Sequence, residues 1–268
     1  MNPPFAGEQP APAPATLTAA TPAVLPAVTA AQMAEVDRLA VTAYGIELGQ
    51  MMELAGSHLA EVVRLEVGGD LRGRRVVTVA GPGNNGGGGL AAARHLANRG
   101  AQVHAVLARP AARLSDAGRH QLAALLAMGV ECCVMTYDLS DAELAAMLSS
   151  ADVVADAVLG YSLIGAPHGA VERLIGFIAA ASRPVISLDI PSGMHPDTGD
   201  APGSSVAADA TLTLALPKAG LLSPAGRRRA GHLYLGDLGL PAALYRDLGL
   251  EVGTPFADGP IVALGAER

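Results

Sequence analysis

The chain has 268 residues, of which 50% are hydrophobic, so it can bury the core of a complete domain. Its formal net charge of −7 argues against nucleic acid as a partner. No apolar run approaches the roughly 18 residues that a membrane-spanning helix requires, which argues against a membrane partner.

The first 28 residues consist mainly of Ala, Pro and Thr, with Glu8 as the one acidic residue. This composition offers too little periodic apolar surface to offset the entropy lost on ordering, so we predict a disordered tail over 1–28 and one domain over 29–268. No basic residue precedes Arg38, which argues against a signal peptide. The only cysteines, Cys132 and Cys133, are adjacent and poorly placed for a disulfide bond with each other. We therefore predict two buried thiols in a cytoplasmic protein.

Two amphipathic helices are predicted first. One begins after the N-cap Thr29 and places Met33, Val36 and Ala40 on one face, and the second runs from about Leu48 to Leu65. From residue 75 onward, short apolar β runs alternate with helical segments. The predicted strands are 75–80, 103–107, 130–135, 153–158, 185–190, 211–216 and 232–235, and further helices end near 98, span about 115–128 and open at 140 or 141. Continuously apolar strands separated by helices predict an α/β fold: a Rossmann-like three-layer αβα sandwich with a mostly parallel sheet.

Three glycine-rich loops follow predicted strands, at residues 81–89, 156–166 and 189–193. Ligands of open parallel sheets bind beyond the carboxyl ends of the strands, so these loops are the candidate site. The first loop contains GxGxxG, and backbone amides at the start of the following helix can hold a phosphate. The dinucleotide fingerprint also requires an acid about 20 residues later. No Asp or Glu occurs between Gly81 and Ser115, which argues against an NAD-dependent dehydrogenase.

Two aspartates lie at the ends of predicted strands. Asp156 lies within an apolar run, where an unpaired charge is costly, so it must be paired, hydrogen-bonded or bound to a cation. Its structural alternative is to cap neighbouring backbone amides. Asp189 is suited to acid–base chemistry, because partial burial can raise the pKa of a carboxyl group towards neutrality. The alternative for Asp189 is a turn residue that fixes the bend at Pro191.

Together these segments resemble the YjeF N-terminal domain family, the NAD(P)H-hydrate epimerases. The resemblance extends from about residue 30 to 242 and rests on six motifs in order: MELAG at 52–56, GPGNNGG at 81–87, Asp156-Ala157 with the loop at Gly160, DIPSG at 189–193, LPK at 216–218 and GDLGLP at 236–241. It implies an isomerase that interconverts the R and S epimers of hydrated NADH and NADPH and so repairs nicotinamide nucleotides.

The resemblance also implies the roles of individual residues. It implies a K⁺ ion held by Asn85, Asp156 and Ser192, with backbone carbonyls completing a set of oxygen ligands that suits a hard cation. We assign proton transfer to Asp189. The implied substrate-binding residues are Asn84, Asn85, Gly86, Gly87, Gly88, Gly160, Tyr161, Ser162, Leu163, Ile164, Gly165, Ala166 and Asp189. Lys218 is open to two interpretations, a phosphate contact or a structural surface lysine.

Relatives in this family are often homodimers, and many carry a C-terminal dehydratase domain. A chain of this length is therefore expected to form a homodimer and to rely on a separate NAD(P)H-hydrate dehydratase. One position departs from the family: the glycine loop usually reads NNGGDG, and the Asp position is Gly88 here. The missing carboxylate leaves an alternative, a catalytically impaired ligand-binding or scaffold protein on the same fold.

Overall fold

A computed structural model describes residues 19–20 and 25–265 of the chain. The strands are β1 (Ala19–Ala20), β2 (Arg75–Ala80), β3 (Gln102–Leu107), β4 (Glu131–Val134), β5 (Val153–Ala157), β6 (Val185–Leu188), β7 (Ala210–Leu214), β8 (His232–Gly236) and β9 (Ile261–Leu264). The helices are α1 (Ala30–Thr42), α2 (Leu48–Glu66), α3 (Asn84–Asn98), α4 (Asp116–Ala127), α5 (Asp141–Ser150), α6 (Gly169–Ala180), α7 (Ala219–Leu222), α8 (Pro224–Ala230) and α9 (Ala242–Asp247).

The strands form a single sheet in the order β1-β9-β8-β7-β6-β5-β2-β3-β4. Strands β2 to β8 pair in parallel with one another, whereas β9 runs antiparallel to β8. One hydrophobic cluster packs α1 to α4 and α9 on one face of the sheet, and a second packs α5 and α6 on the other. The predicted Rossmann-like three-layer αβα fold is confirmed.

Local sequence signals explain where most elements begin. Thr29 and Gln32 form a capping box at the start of α1, and Ser140 caps α5. Two predicted strands, 185–190 and 211–216, extended two residues too far, because Asp189 and Ala215 adopt left-handed backbone conformations with φ of 70° and 62°. Such residues leave the extended region, so β6 and β7 end just before them.

The start of the domain was predicted too late. Most of the predicted tail lies outside the described residues, but residues 25–28 belong to the domain. Leu25 and Val28 are buried, and Val28 donates a backbone hydrogen bond of 2.9 Å to the carbonyl of Pro217. The sequence prediction missed this contact because it joins segments far apart in the chain.

The structure also tests the predicted burial of the cysteines and the absence of a membrane-spanning helix among the described residues. Cys132 and Cys133 are free, but both are partly exposed rather than buried as predicted, since β4 is an edge strand. Within residues 19–20 and 25–265, no helix is long and apolar enough to cross a membrane.

The sheet order places one crevice in this fold. The chain passes from β2 to β3 and β4 on one side, and then returns to β5 on the other side of β2. The connections that leave β2 and β5 therefore diverge at the carboxyl ends of these strands. This is the switch point at which open α/β sheets bind ligands.

Candidate functional site

A cavity of about 490 Å³ opens at this switch point. Residues that follow β2, β5, β6 and β7 supply its polar wall together with Asp37 of α1, and helices α1 and α2 supply much of its apolar wall. The polar lining residues are Asp37, Asn84, Asn85, Tyr161, Ser162, Asp189 and Lys218, and the apolar ones include Met33, Leu48, Met51, Met52, Leu188, Leu214 and Leu238. A mixed lining of this kind suits a ring that is apolar on its faces and polar at its edge.

Asp189 is the first residue after β6, and its carboxylate faces the cavity. The residue is 4% exposed and has a φ of 70°. Its backbone N–H still donates to the carbonyl of Leu212, at 2.7 Å, so the neighbouring strand holds this unusual conformation in place. Strained backbone held by its surroundings is typical of functional sites.

An ion pair and one hydrogen bond orient the Asp189 carboxylate. The ammonium group of Lys218 lies 2.5 Å from Oδ1, and the backbone N–H of Tyr161 donates to Oδ2 at 2.8 Å. Lys218 also donates to the carbonyl of Leu214 at 2.8 Å and is only 1% exposed. The interpretation of Lys218 as a surface lysine is therefore wrong. The side chain is buried, and its ammonium group contacts the Asp189 carboxylate and the Leu214 carbonyl oxygen.

A second carboxylate, Asp37, lies on the opposite side of Tyr161. The Tyr161 hydroxyl donates to Oδ2 of Asp37 at 2.6 Å, and the Lys218 ammonium lies 5.8 Å from the centre of the Tyr161 ring. Burial raises the pKa of the Asp37 carboxyl group, and the Tyr161 hydrogen bond opposes this rise. Sequence reasoning missed Asp37, although Met33, Asp37 and Ala40 share one helical face and so place an acid in an apolar stripe.

Asp156 lies below the cavity and is fully buried. Its Oδ1 accepts from the Ser192 hydroxyl at 2.6 Å and from the Val158 N–H at 3.2 Å. Its Oδ2 accepts from the Ser187 hydroxyl at 2.8 Å and from the Ser192 N–H at 3.0 Å. Burial raises the pKa of this carboxyl group, and the hydrogen bonds oppose the rise. The capping role, given above as the alternative for Asp156, is therefore present.

The chemistry around Asp156 fits a K⁺ ion. All four of its donors are neutral, so no cationic side chain among them balances this buried charge. The Ser192 hydroxyl lies 3.3 Å from the Leu159 carbonyl oxygen, and Asn85 donates to the Leu188 carbonyl at 3.3 Å. Carboxylate, hydroxyl and carbonyl oxygens therefore lie close together around Asp156 and Ser192, and such oxygens are the ligands that a hard cation prefers. Asn85 contacts Leu188, the residue after Ser187.

The predicted substrate-binding residues do not all lie on the cavity wall. Those that do are Asn84, Asn85, Gly88, Gly160, Tyr161, Ser162 and Asp189. Gly86 and Gly87 are buried, and a Cβ atom on Gly86 would meet the Gly81 carbonyl oxygen at 1.9 Å. Gly86 therefore allows the backbone of the loop to fold closely. Residues 163–166 continue away from the cavity, and Ile164 is 95% exposed.

Gly88 lies on α3 with an ordinary helical conformation, since its φ is not positive. A Cβ atom there would meet Cδ2 of Leu188 at 2.9 Å and Cβ of Ala55 at 3.7 Å. The nearer atom is the end of a flexible side chain, so a small shift of Leu188 would admit a larger residue. Gly88 therefore lies in the cavity wall, and the side chain of an Asp at this position would lie beside Leu188.

The chain is similar in sequence to several known proteins. The sequence profile described as "YjeF-related protein N-terminus" matches residues 48–220. An NAD(P)H-hydrate epimerase of Dehalogenimonas lykanthroporepellens is 44% identical over 94% of this chain and 97% of its own length. A bifunctional NAD(P)H-hydrate repair enzyme of Moorella thermoacetica is 40% identical over 81% of this chain. This chain spans only 41% of that enzyme's length.

A solved structure has the same fold. The crystal structure of the yeast protein ynu0 covers 90% of this chain and 100% of its own, with a TM-score of 0.77 and 24% sequence identity. At that identity the similarity concerns the fold alone.

Proposed function

The chain belongs to the family of YjeF-related protein N-termini, and from this membership we infer that it is an NAD(P)H-hydrate epimerase. The observation that carries the inference is Asp189, a buried carboxylate oriented by Lys218 and Tyr161 at the wall of a cavity. The enzyme interconverts the R and S epimers of hydrated NADH and NADPH, an isomerase activity in nucleotide repair.

The chemistry of the substrate defines what the site must do. A hydrated nicotinamide carries a hydroxyl group at C6, next to the ring nitrogen. When an acid protonates this hydroxyl, the nitrogen lone pair expels it as water, the C6–O bond breaks and an iminium ion remains. A water molecule that adds to the opposite face forms the new C6–O bond and loses a proton to a base. The carbon is inverted, and one water leaves for each that enters.

We assign proton transfer at C6 to Asp189. The carboxyl group protonates the departing hydroxyl on its own side of the ring. The water that adds to the opposite face loses its proton to a further water molecule, and solvent returns a proton to the carboxylate. In the reverse reaction the carboxylate accepts the proton of the water that adds on its own side. Lys218 and the Tyr161 N–H hold the carboxylate in one orientation, which supports catalysis by positioning. The apolar wall with Met33, Met51 and Met52 packs on the ring and limits bulk water in the cavity.

We propose that Asn85, Asp156 and Ser192 hold a K⁺ ion beneath the cavity. The support is the buried Asp156 charge with neutral partners only. When bound, the ion supplies positive charge that stabilises the loops after β5 and β6. Asp156 would hold the ion through its carboxylate, and Asn85 and Ser192 would supply neutral oxygen ligands.

Gly88 favours the second candidate, a catalytically impaired binding protein, because the family carboxylate is missing there. The cavity nevertheless keeps Asp189, its ion pair with Lys218 and its hydrogen bond from Tyr161, which supports a chemical step without a carboxylate at residue 88. We therefore propose that Gly88 weakens substrate binding and that the enzyme remains active.

Further proposals concern the partner enzyme, the oligomeric state and the cellular compartment. The relative from Moorella thermoacetica is called a bifunctional NAD(P)H-hydrate repair enzyme, and this chain matches 41% of its length. We propose that a separate NAD(P)H-hydrate dehydratase acts with this protein. We also propose a homodimer in the cytoplasm, where the free thiols Cys132 and Cys133 would stay reduced.

The direct test is epimerisation by the purified protein. The R epimer of hydrated NADH is incubated with enzyme, and both epimers are followed by chromatography. Formation of the S epimer well above the spontaneous rate is expected. An Asp189→Asn variant serves as the matched control. Conversion by the native protein that is no faster than in buffer would contradict the assignment of the activity.

A further inference from the structure

Tyr161 connects two carboxylates that belong to distant parts of the chain. Its hydroxyl donates to Asp37 on α1 at 2.6 Å, and its backbone N–H donates to Asp189 after β6 at 2.8 Å. Asp37 and Tyr161 are 124 residues apart, and both line the cavity. Asp37 also lies outside residues 48–220, which the family profile matches.

The hydrogen bond from the Tyr161 hydroxyl to Asp37 is well placed to fix the position of the loop after β5. Gly160, Tyr161 and Ser162 line the cavity, but the loop beyond them is exposed, with Ile164 at 95%. The hydrogen bond to Asp37 therefore holds Tyr161, at the start of this loop, against α1. Hydrogen bonds to charged groups are stronger than those between neutral groups, so one such bond can fix the loop against the cavity.

We propose that Asp37 is a positioning residue of the epimerase: it binds the Tyr161 hydroxyl and so holds residues 160–162 in the conformation that binds the hydrated nucleotide. This proposal rests on the proposed function. Asp37 acts through Tyr161 and not on the reacting carbon. Asp189 keeps Lys218 and the Tyr161 N–H when the hydroxyl bond is removed, so substrate binding changes more than the chemical step.

The test is a double-mutant cycle with Tyr161→Phe, Asp37→Ala and the combined variant. Each single variant should raise KM on the order of 10-fold, equivalent to about 1.4 kcal/mol, with kcat within about threefold of the native value. Because both changes remove the same bond, the combined variant should show the same rise as either one alone. Asp37→Asn keeps an acceptor and should recover part of the affinity.

Tyr234→Phe is the matched control. Its hydroxyl donates to Glu66 at 2.7 Å, in a partly buried pair outside the cavity lining. Loss of this bond should lower the melting temperature without changing KM. If Tyr161→Phe leaves KM unchanged while Asp37→Ala raises it, Asp37 contacts the substrate itself and the proposal is wrong.

Independent, additive effects of the two changes would also overturn the proposal. If the variants change only the melting temperature, as Tyr234→Phe should, the bond is structural and the proposal fails. A native protein without epimerase activity contradicts the proposed function instead, so the two failures are distinguishable.

Discussion

Asp189→Asn separates the catalytic role of the Asp189 carboxylate from its role in stability. The amide is nearly isosteric, and asparagine tolerates the positive φ of this position, so the backbone should not change. It cannot exchange protons in the useful range, so we expect a fall in kcat of about 10²- to 10⁴-fold, the range for general acid–base groups. The assay is steady-state conversion of the R epimer.

The same change also removes the partner of a buried cation. Lys218 is 1% exposed, and its ammonium group lies 2.5 Å from the carboxylate. Removing one partner of a buried ion pair costs about 3–5 kcal/mol. For a protein of this size, that loss would lower the melting temperature on the order of 10 °C. Part of the loss is recovered because the Asn oxygen still accepts a hydrogen bond.

The combined variant Asp189→Asn/Lys218→Met distinguishes the two effects. Without the ammonium group no unpaired charge is buried, so stability should return to within about 2 kcal/mol of the native protein. Activity should stay as low as in the single variant. The control is Glu61→Gln, which breaks partly exposed ion pairs with Arg64 at 2.6 Å and Arg99 at 3.0 Å and should leave kcat unchanged. A kcat within threefold of native in the Asp189→Asn variant would refute the proton-transfer role.

Three further predictions concern the cavity wall, the cation and the start of the domain. Gly88→Asp should lower KM in an enzyme that is already active, because it restores the carboxylate that we propose binds the substrate, and Leu188 can shift to make room for the new side chain. Activity seen only in the variant would favour the scaffold alternative. K⁺ should raise the melting temperature of the native protein but not of Asp156→Asn, and an equal rise in both would exclude Asp156 as a ligand. Deletion of residues 1–18 should leave the melting temperature within about 2 °C, whereas deletion of 1–28 should cost about 3–6 kcal/mol, because two buried apolar side chains are lost. Thermal unfolding of the two truncated proteins checks this, and equal stability would show that residues 25–28 contribute nothing.

The sheet and its main helices were predictable because their signals are local. Apolar strands flanked by helices identify a covered parallel sheet, and the caps at Thr29 and Ser140 identify where α1 and α5 begin. The position of the cavity followed from the rule that ligands bind where the winding of the sheet reverses.

The pairs within the site could not be predicted in this way. The ion pair of Lys218 with Asp189 and the bond of Tyr161 to Asp37 join residues far apart in sequence, and neither leaves a periodic pattern. The burial of Val28 depends in the same way on its contact with Pro217. Composition correctly described the residues before Thr29 as poor in periodic apolar surface, but two buried side chains were enough to attach residues 25–28.

Epimerisation in water enriched in ¹⁸O tests the central claim most directly. If Asp189 drives loss and re-addition of water at C6, each inversion places one solvent oxygen on that carbon. Mass spectrometry of the S epimer formed by the native enzyme should therefore show ¹⁸O at C6, and Asp189→Asn should form little of this product. Formation of the S epimer with its original oxygen, or no enzyme-dependent formation at all, would contradict the account.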